Sequence, residues 1–317
     1  MSDMKKNKVS IIIVTWNVEN IIEKCLESLF KYADLDNEII IVDNASSDNT
    51  CAIIKNRFND QVKLIELQEN IGFSKANNVG VNVCSGEYVF FLNPDVIFIQ
   101  PIMKEMKRIL DNENEIGIVS PKLLNIDKSL QISYGNFPSL KSIIYNEFKL
   151  GALLSKKYKR IYYQAKVRED VERYVDWTYG AAHFCKYEDV KKIGLYPDSY
   201  FMYGEDTEIC MKFLKVLGKK VYYMPKLELI HIGGYSEKQV VNSKKVIYVT
   251  NAQLYFLKKY FGESKMQLAR ALLIINRCIK IVIVSFISLF SNSQVLKNKK
   301  YKFKVQIKTL LRCAINK

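Results

Sequence analysis

The sequence predicts an α/β fold: a mainly parallel sheet flanked by helices, followed by a helical C-terminal extension. Three observations predict it. Val9–Thr15 and Glu38–Asp43 are isoleucine-rich apolar runs of strand length, the pattern of strands buried on both faces. Between them Ile21, Ile22, Cys25, Leu26, Leu29 and Phe30 recur at helical spacing, which makes residues 19–32 an amphipathic helix. The alternation continues, with strands expected at 62–66, 87–92 and 116–120 and helices near 74–84 and 101–111. Strand–helix alternation implies right-handed crossovers and parallel pairing.

Taken in order, the strands end on polar residues. The first ends at Thr15-Trp16-Asn17 and the second at Asp43-Asn44. The latter is followed by the turn Asn-Ala-Ser-Ser-Asp-Asn-Thr, whose Ser and Asp residues suit a helix N-cap. The strand at 87–92 ends at Asn93-Pro94-Asp95. Parallel sheets bind ligands beyond the carboxyl ends of their strands. An Asp at a strand end is also a common turn former; three such ends on one rim point to a nucleotide site. Residues 134–175 are less regular and basic, and read as partly helical, facing an acceptor or a membrane. Order returns from Val175 to about Tyr260. The expected organisation is a domain over 1–262, with a nucleotide-binding half at 9–120 and a second half at 121–262, then an extension over 263–317.

At 317 residues, with 49% hydrophobic and 26% charged residues, the chain can bury a sizeable core. Seven scattered cysteines without a C-x-x-C pair argue against a disulfide framework and for a reducing compartment. No signal-peptide pattern precedes Val9, so the expected location is cytoplasmic. The net charge of +15 is unevenly placed: residues 264–317 hold twelve Lys or Arg and no Asp or Glu, which leaves +3 for residues 1–263. A nucleic-acid-binding domain carries its basic surface on the fold, among aromatic platforms. Basic charge on an appendage beside an apolar stretch favours an anionic membrane instead, with no nucleic-acid partner.

Four motifs in order resemble the family 2 glycosyltransferases of GT-A fold, a Rossmann-like architecture, and within them the bacterial rhamnosyltransferase-like branch. They are V-S-I-I-I-V-T-W-N with I-I-I-V-D-N-A-S-S-D-N-T; N-I-G-F-S-K-A-N-N-V-G; F-F-L-N-P-D-V; and G-A-A-H-F through Y-F-M-Y-G-E-D-T-E-I-C to H-I-G-G-Y-S. The resemblance covers roughly residues 8–262. It implies a nucleotide-diphosphate sugar donor, a divalent Mg²⁺ or Mn²⁺, and a glycan or lipid-linked acceptor. On family grounds the favoured donor is dTDP-rhamnose.

The chemistry explains these residue types. A departing diphosphate gathers negative charge, which a divalent cation stabilises as a Lewis acid, and such cations prefer carboxylate oxygens. The resemblance places Asp95 at the second Asp of a D-x-D motif, as a metal ligand. Asn93 stands where the first Asp usually is and is expected to contact donor hydroxyls or ribose. By itself N-P-D also reads as a β-turn. His231, in the H-x-G-G-x-S element, is the second implied metal ligand, although a lone histidine is often structural. Glu205 and Asp206 are adjacent at the start of a helix expected over 207–217, where the helix dipole favours the ionised form. Simple N-capping is the alternative. The resemblance assigns the catalytic base to Asp206, with Glu205 orienting the base or acceptor, and a single base implies inversion at the anomeric carbon.

Nucleotide contacts are expected from Thr15 and Asn17 (base and ribose) and from Asp43 (a pyrimidine N3–H). Gly72 would admit close backbone approach, Asn78 would reach sugar or phosphate, and Lys75 a phosphate, unless Lys75 is simply solvated. Trp177 is expected against a sugar ring or in the core, and His183 on the acceptor side or packed within the fold. The chain departs from related members at Tyr196-Pro197-Asp198-Ser199, at Glu208-Ile209-Cys210 and at Lys212.

Ala271–Phe290 is mostly apolar, but Asn276, Arg277 and Lys280 argue against a membrane span, at roughly 2.5–3.5 kcal/mol for each basic residue near its centre. Gln267, Arg270, Asn276, Arg277 and Lys280 share one broad face of a helix. The expectation is an amphipathic helix in the interface, followed by a polybasic segment, giving peripheral contact through residues 264–317 with the inner face of the cell membrane. Packing on the globular domain or dimerisation are the alternatives. The competing function classes are a nucleotidyltransferase, which would want a Gly-rich basic loop that does not follow Val9–Thr15, and a non-catalytic membrane or nucleic-acid adaptor with a basic tail.

Overall fold

The structure, a computed structural model, describes residues 4–148, 171–233, 242–291 and 293–312. Apolar β1 (Lys5–Thr15) lies between β2 (Asn37–Asp43) and β4 (Gly86–Leu92), parallel to both, and β3 (Lys63–Glu66) pairs parallel with β2. The helices α1 (Ile22–Tyr32), α2 (Thr50–Phe58) and α3 (Phe73–Asn82) make the crossovers. The chain first runs from β1 to β2 and β3, then returns to place β4 on the other side of β1. That reversal opens a crevice at the carboxyl ends of β1 and β4, the usual ligand position in open α/β sheets.

Beyond β4 the sheet becomes mixed. After β5 (Val96–Phe98) and α4 (Met103–Asn112) come β6 (Ile116–Leu124), β7 (Leu130–Gln131), β8 (Tyr134–Gly135), β9 (Arg173–Val175) and β10 (Trp177–Thr178). β11 (Ala182–Lys186) is wedged antiparallel between β4 and β6, and β12 (Lys220–His231) runs parallel to β6 and antiparallel to β5. The sheet order is β3-β2-β1-β4-β11-β6-β12-β5, with β7 on β6 and β9 on β12, while β8 and β10 form a separate pair. α6 (Tyr187–Lys192) and α7 (Glu205–Leu217) pack on this half. α7 begins at Glu205, two residues before the expected start, because Gly204 reverses the chain in a left-handed conformation (φ 96°). Residues 226–230, which lead to His231, are the end of the twelve-residue β12.

The main core is continuous from Ile11 and Ile13 through Leu26, Ile41 and Phe90 to Met106, Phe184 and Leu229. By packing the chain divides into a first unit, residues 1–135 and 168–238, and a second, 136–167 and 239–317. The sequence-based boundary at 262 falls inside the second unit, because α8 (Asn242–Phe261) packs with α9 (Glu263–Ile287) and α10 (Gln294–Arg312), and α5 (Leu140–Glu147) packs on α9. Their own small core joins Ile143, Leu254, Leu257, Met266, Ala269, Leu273 and Leu310. The part of the 134–175 segment at 149–170 lies outside the described residues.

One expectation about the extension is corrected. The middle of the polar face of α9, at Asn276 and Arg277, does not point to solvent. Asn276 and Arg277 are buried. Arg277 makes a two-pronged pair with Glu147 on α5 (2.5 and 2.7 Å), Lys280 reaches the same carboxylate (2.9 Å), and Asn276 donates to the Glu147 carbonyl (2.7 Å). Arg270 donates to the carbonyls of Leu310 and Leu311 at the end of α10. The single carboxylate at Glu147 draws the cations inward. Among the described residues no helix is long and apolar enough to cross a membrane.

Candidate active site

The rim at the ends of β1 and β2 is built by short-range hydrogen bonding. Parallel register sets Thr15 beside Asp43. Thr15 donates from Oγ1 to Asp43 Oδ1 (2.8 Å), and Ser46 donates to the same carboxylate from its N–H (2.8 Å) and Oγ (2.6 Å). Asp43 is therefore fixed at the strand end. Thr15 is fully buried and acts through Asp43, so it offers no direct contact to a base or ribose. Asn17 adopts a left-handed conformation (φ 52°), and its Oδ1 accepts from Ser47 N–H (2.8 Å), stitching β1 to the turn after β2.

The second motif proves to be mostly scaffolding. Gly72 sits at φ 88°, and a Cβ there would stand 2.9 Å from the Phe201 carbonyl oxygen. Its close backbone approach is to the loop before α7. Asn78 uses both ends of its amide on the Tyr196 backbone: Nδ2 donates to the carbonyl (3.0 Å) and Oδ1 accepts the N–H (2.9 Å). The amide is thus engaged within the protein and does not reach toward a sugar. Lys75 is exposed on α3.

At the end of β4, Asn93 N–H donates to the Ala181 carbonyl, pinning the N-P-D turn to the strand leading into β11. Asn93 Oδ1 is buried and has no hydrogen-bond partner among the described residues, an acceptor facing no donor. Such a group is costly to leave unmet and suits a ligand hydroxyl or cation. Asp95 is buried, and its Oδ1 lies 3.2 Å from His231 Nε2 at the end of β12. The antiparallel register of β12 on β5, His231 against Val96, creates this approach.

The histidine tautomer follows from its neighbour. His231 Nδ1 is 2.6 Å from Gln131 Oε1, and Gln131 Nε2 donates to Asn125 Oδ1 and the His231 carbonyl, which fixes Oε1 as the acceptor. Nδ1 therefore carries the hydrogen. Nε2 then faces a carboxylate oxygen, an approach that a proton or a metal cation between the two would satisfy. A histidine that donates its other N–H to a carbonyl is the usual arrangement of a metal-ligating imidazole. No group of three or more His, Cys, Asp and Glu side chains suited to a metal exists among the described residues. Asp95 and His231 would thus hold a cation as a pair, with phosphate and water completing its shell, as Mg²⁺ commonly requires.

The acid pair lies at the start of α7. Thr207 N–H donates to Asp206 Oδ1 (2.7 Å), and the Gly180 N–H also points at this carboxyl. Glu205 is buried, and its Oε2 has no partner among the described residues. Burial raises the pKa of both carboxyls, and the adjacent Asp206 raises Glu205 further. Burial outweighs the helix dipole, which the sequence suggested would favour ionisation. Asp206 receives the N–H groups of Thr207 and Gly180, whereas Glu205 has only its own backbone N–H, so Glu205 is the member of the pair that holds a proton more readily.

Tyr196, noted in the sequence only as part of a departure from the family pattern, joins this pair. It is fully buried, its hydroxyl has no partner among the described residues, and it lies against Gly180 beside Asp206. Gln131 carried no such signal, standing 100 positions from the histidine it orients. The departures from the family pattern are structural: Glu208 is buried and accepts from Tyr200 Oη (2.6 Å), and Lys212 binds the carbonyls of Gly194 and Leu195.

The two remaining expectations divide. His183 is fully buried in β11, with Nε2 2.8 Å from Thr178 Oγ1, and burial lowers its pKa to about 4. It packs within the fold and offers no surface to an acceptor. Trp177 is partly exposed; its ring lies over Gly135, where a Cβ would come within 2.9 Å, and 5.5 Å from the Tyr179 ring. Gly234 and the rest of the H-x-G-G-x-S element lie outside the described residues.

The chain is similar to known proteins in sequence and in fold. Residues 10–166 match the profile of "Glycosyl transferase family 2". The chain is 27% identical over 239 residues to rhamnosyltransferase WbbL of Escherichia coli, covering 73% of this chain and 85% of that protein. In fold it is similar to the mannosyltransferase PcManGT of Pyrobaculum calidifontis, solved in complex with GDP-Man and Mn²⁺ (TM-score 0.56, 15% identity, 99% of this chain and 88% of that one). It is also similar to TarS of S. aureus (TM-score 0.52, 17% identity), with 85% of this chain matching 42% of that one. Over residues 10–166 the chain thus resembles glycosyl transferase family 2, and its mixed α/β sheet has GT-A-like neighbours.

Proposed function

We propose that the chain is an inverting, metal-dependent hexosyltransferase. It takes a sugar from a nucleotide-diphosphate donor, with dTDP-rhamnose favoured, and delivers it to a glycan or lipid-linked acceptor in bacterial surface polysaccharide assembly. The observation that carries this most is His231 Nε2 aimed at Asp95 beside the unpartnered Asn93 Oδ1. The rhamnose preference draws on the similarity to a rhamnosyltransferase.

Asp43, fixed by Thr15 and Ser46, accepts a hydrogen bond from the base of the donor. Asn93 Oδ1 accepts from a donor hydroxyl. Asp95 and His231 would hold a divalent cation, which when bound would supply Lewis acidity to the departing diphosphate. Asp206 takes the proton of the acceptor hydroxyl as its oxygen attacks the anomeric carbon, the bond to the diphosphate breaks, and the configuration inverts. A carboxyl raised toward neutrality is better matched to this task than an ordinary one. Glu205, protonated, keeps the acid pair from carrying two adjacent charges. Trp177 supplies a face for a sugar ring. Residues 264–317 make peripheral contact with the inner face of the cell membrane.

The test is Asp206→Asn, assayed with dTDP-rhamnose and other nucleotide sugars in the presence of Mg²⁺ or Mn²⁺. Transfer should fall by roughly 10²–10⁴-fold while donor binding persists. Undiminished turnover would remove Asp206 as the base.

A further inference from the structure

α9 carries apolar side chains all the way round, and only one side of it is covered within its unit. Met266, Ala269, Leu273, Arg277 and Val284 are buried on that side. Residues three and four apart share a helix face, so Leu268, Ile275, Ile279, Val282 and Phe286 form a ridge on the opposite side, and all five are exposed. The ridge runs on past the helix end. Phe286 and Phe290 meet edge to face at 5.4 Å, yet are 62% and 78% exposed, and Leu289 is 77% exposed. A contiguous apolar strip of this length marks an interaction surface.

Charge identifies what covers it. The second unit holds 23 Lys or Arg against two Asp or Glu, a net +21, whereas the first holds 25 against 31, a net −6. A second copy of the chain, docked through the same face, would bring +21 against +21. An anionic lipid surface answers both features, with apolar depth for the ridge and phosphates for the exposed Lys297, Lys299, Lys302, Lys304 and Lys308 of α10. Glu147 permits this orientation. By holding Arg277 and Lys280 on the inward side, it frees the outward side of α9 of strongly hydrated groups.

We infer that α9 lies in the interface of an anionic bilayer, with the ridge from Leu268 to Phe290 among the acyl chains and the lysines of α10 at the headgroups. The inference rests on the peripheral-membrane reading above. It adds which face enters the lipid, and that apolar insertion as well as charge holds it there.

The experiment is flotation of the full-length protein with vesicles of phosphatidylcholine, or of equal parts phosphatidylcholine and phosphatidylglycerol, at low and high salt. The paired change Phe286→Ser with Phe290→Ser affects two exposed side chains, and unchanged thermal unfolding confirms that the fold is kept. Wild type should float with the anionic vesicles and keep a residual bound fraction at high salt. The paired variant should partition roughly tenfold more weakly and lose that residue. In Phe290→Trp, the added fluorescence should shift to the blue and be quenched by brominated acyl chains. If the paired variant floats as wild type does and salt releases both fully, attachment is by charge only: the insertion fails and the membrane reading survives. If wild type does not float at all, both fail. If light scattering shows a dimer that the same substitutions dissociate, the ridge belongs to a second copy, and the inference is overturned.

Discussion

Replacing Glu147 by Gln should loosen the second unit by about 2–4 kcal/mol, and the structure supplies two routes to that figure. Burial pushes the Glu147 carboxyl up, but the hydrogen bonds and charges of Arg277 and Lys280 outweigh it and hold the group at about 2, against an ordinary 4.5. A depression of that size corresponds to about 3 kcal/mol of preference for the ionised form, discounted to about 2 because the side chain keeps a partial solvent face. The second route is the partner left behind. Arg277 is buried, its Nε lacks a hydrogen-bond partner among the described residues, and removing one member of a buried pair typically costs about 3–5 kcal/mol. The sign in pH is fixed by the depressed value. The pair stabilises the fold fully above the ordinary carboxylate range, and its contribution disappears as pH falls from 4.5 through about 2. Hydrogen exchange of α5 and α9, read against urea, measures the local opening energy. The gap between wild type and Glu147→Gln should narrow in acid. Adding Arg277→Met to Glu147→Gln should recover much of the loss, because only the partly exposed Lys280 is then left without its counter-charge. A loss under about 0.5 kcal/mol, smaller than even a typical exposed ion pair, or a gap that ignores pH would refute the view that this carboxylate holds the cations inward.

Four further outcomes follow from the first unit. The acid limb of the transfer rate should lie above the ordinary carboxylate range, because burial raises Asp206; the rate rises as Asp206 ionises, and a limb near pH ~4 would show an unperturbed base. Because Glu205 and Asp206 are raised, their contribution to stability has the opposite sign to that of Glu147. It is present in acid and is lost as pH rises, so Glu205→Gln should flatten the decline in thermal stability toward neutral pH. Gly72→Ala should cost about 1–3 kcal/mol, since it forces φ 88° on an alanine and drives a methyl toward the Phe201 carbonyl; an unchanged unfolding midpoint would contradict the close approach. Gln131→Ala should weaken Mn²⁺ binding in calorimetric titration by roughly 10–100-fold, and equal affinity would deny Gln131 its hold on the His231 ring.

The parallel strands and crossover helices of residues 9–120 were legible because strand and helix periods are local properties of the chain. The ends of those strands were legible for the same reason, so Asp43, Asn93 and Asp95 could be placed on one rim before any coordinates. What a polar side chain on that rim does was not. Thr15 and Asn78 are polar residues at expected positions, yet they are spent on Asp43 and on the Tyr196 backbone, partners 28 and 118 positions away.

The same division runs through the rest of the molecule. Composition by itself placed the basic charge in an appendage and predicted a helix there with charged and apolar sides. Which side faces outward was decided by Glu147, one carboxylate lying 130 positions from Arg277, because a buried cation must find its counter-charge wherever the fold provides it. The acid pair was readable as Glu205-Asp206, but its ionisation depended on burial, which only packing determines. His231 was readable as a candidate ligand, while its tautomer depended on Gln131. Local pattern dictated the elements and the chemistry at their ends; long-range contact decided which of those groups remain available to act.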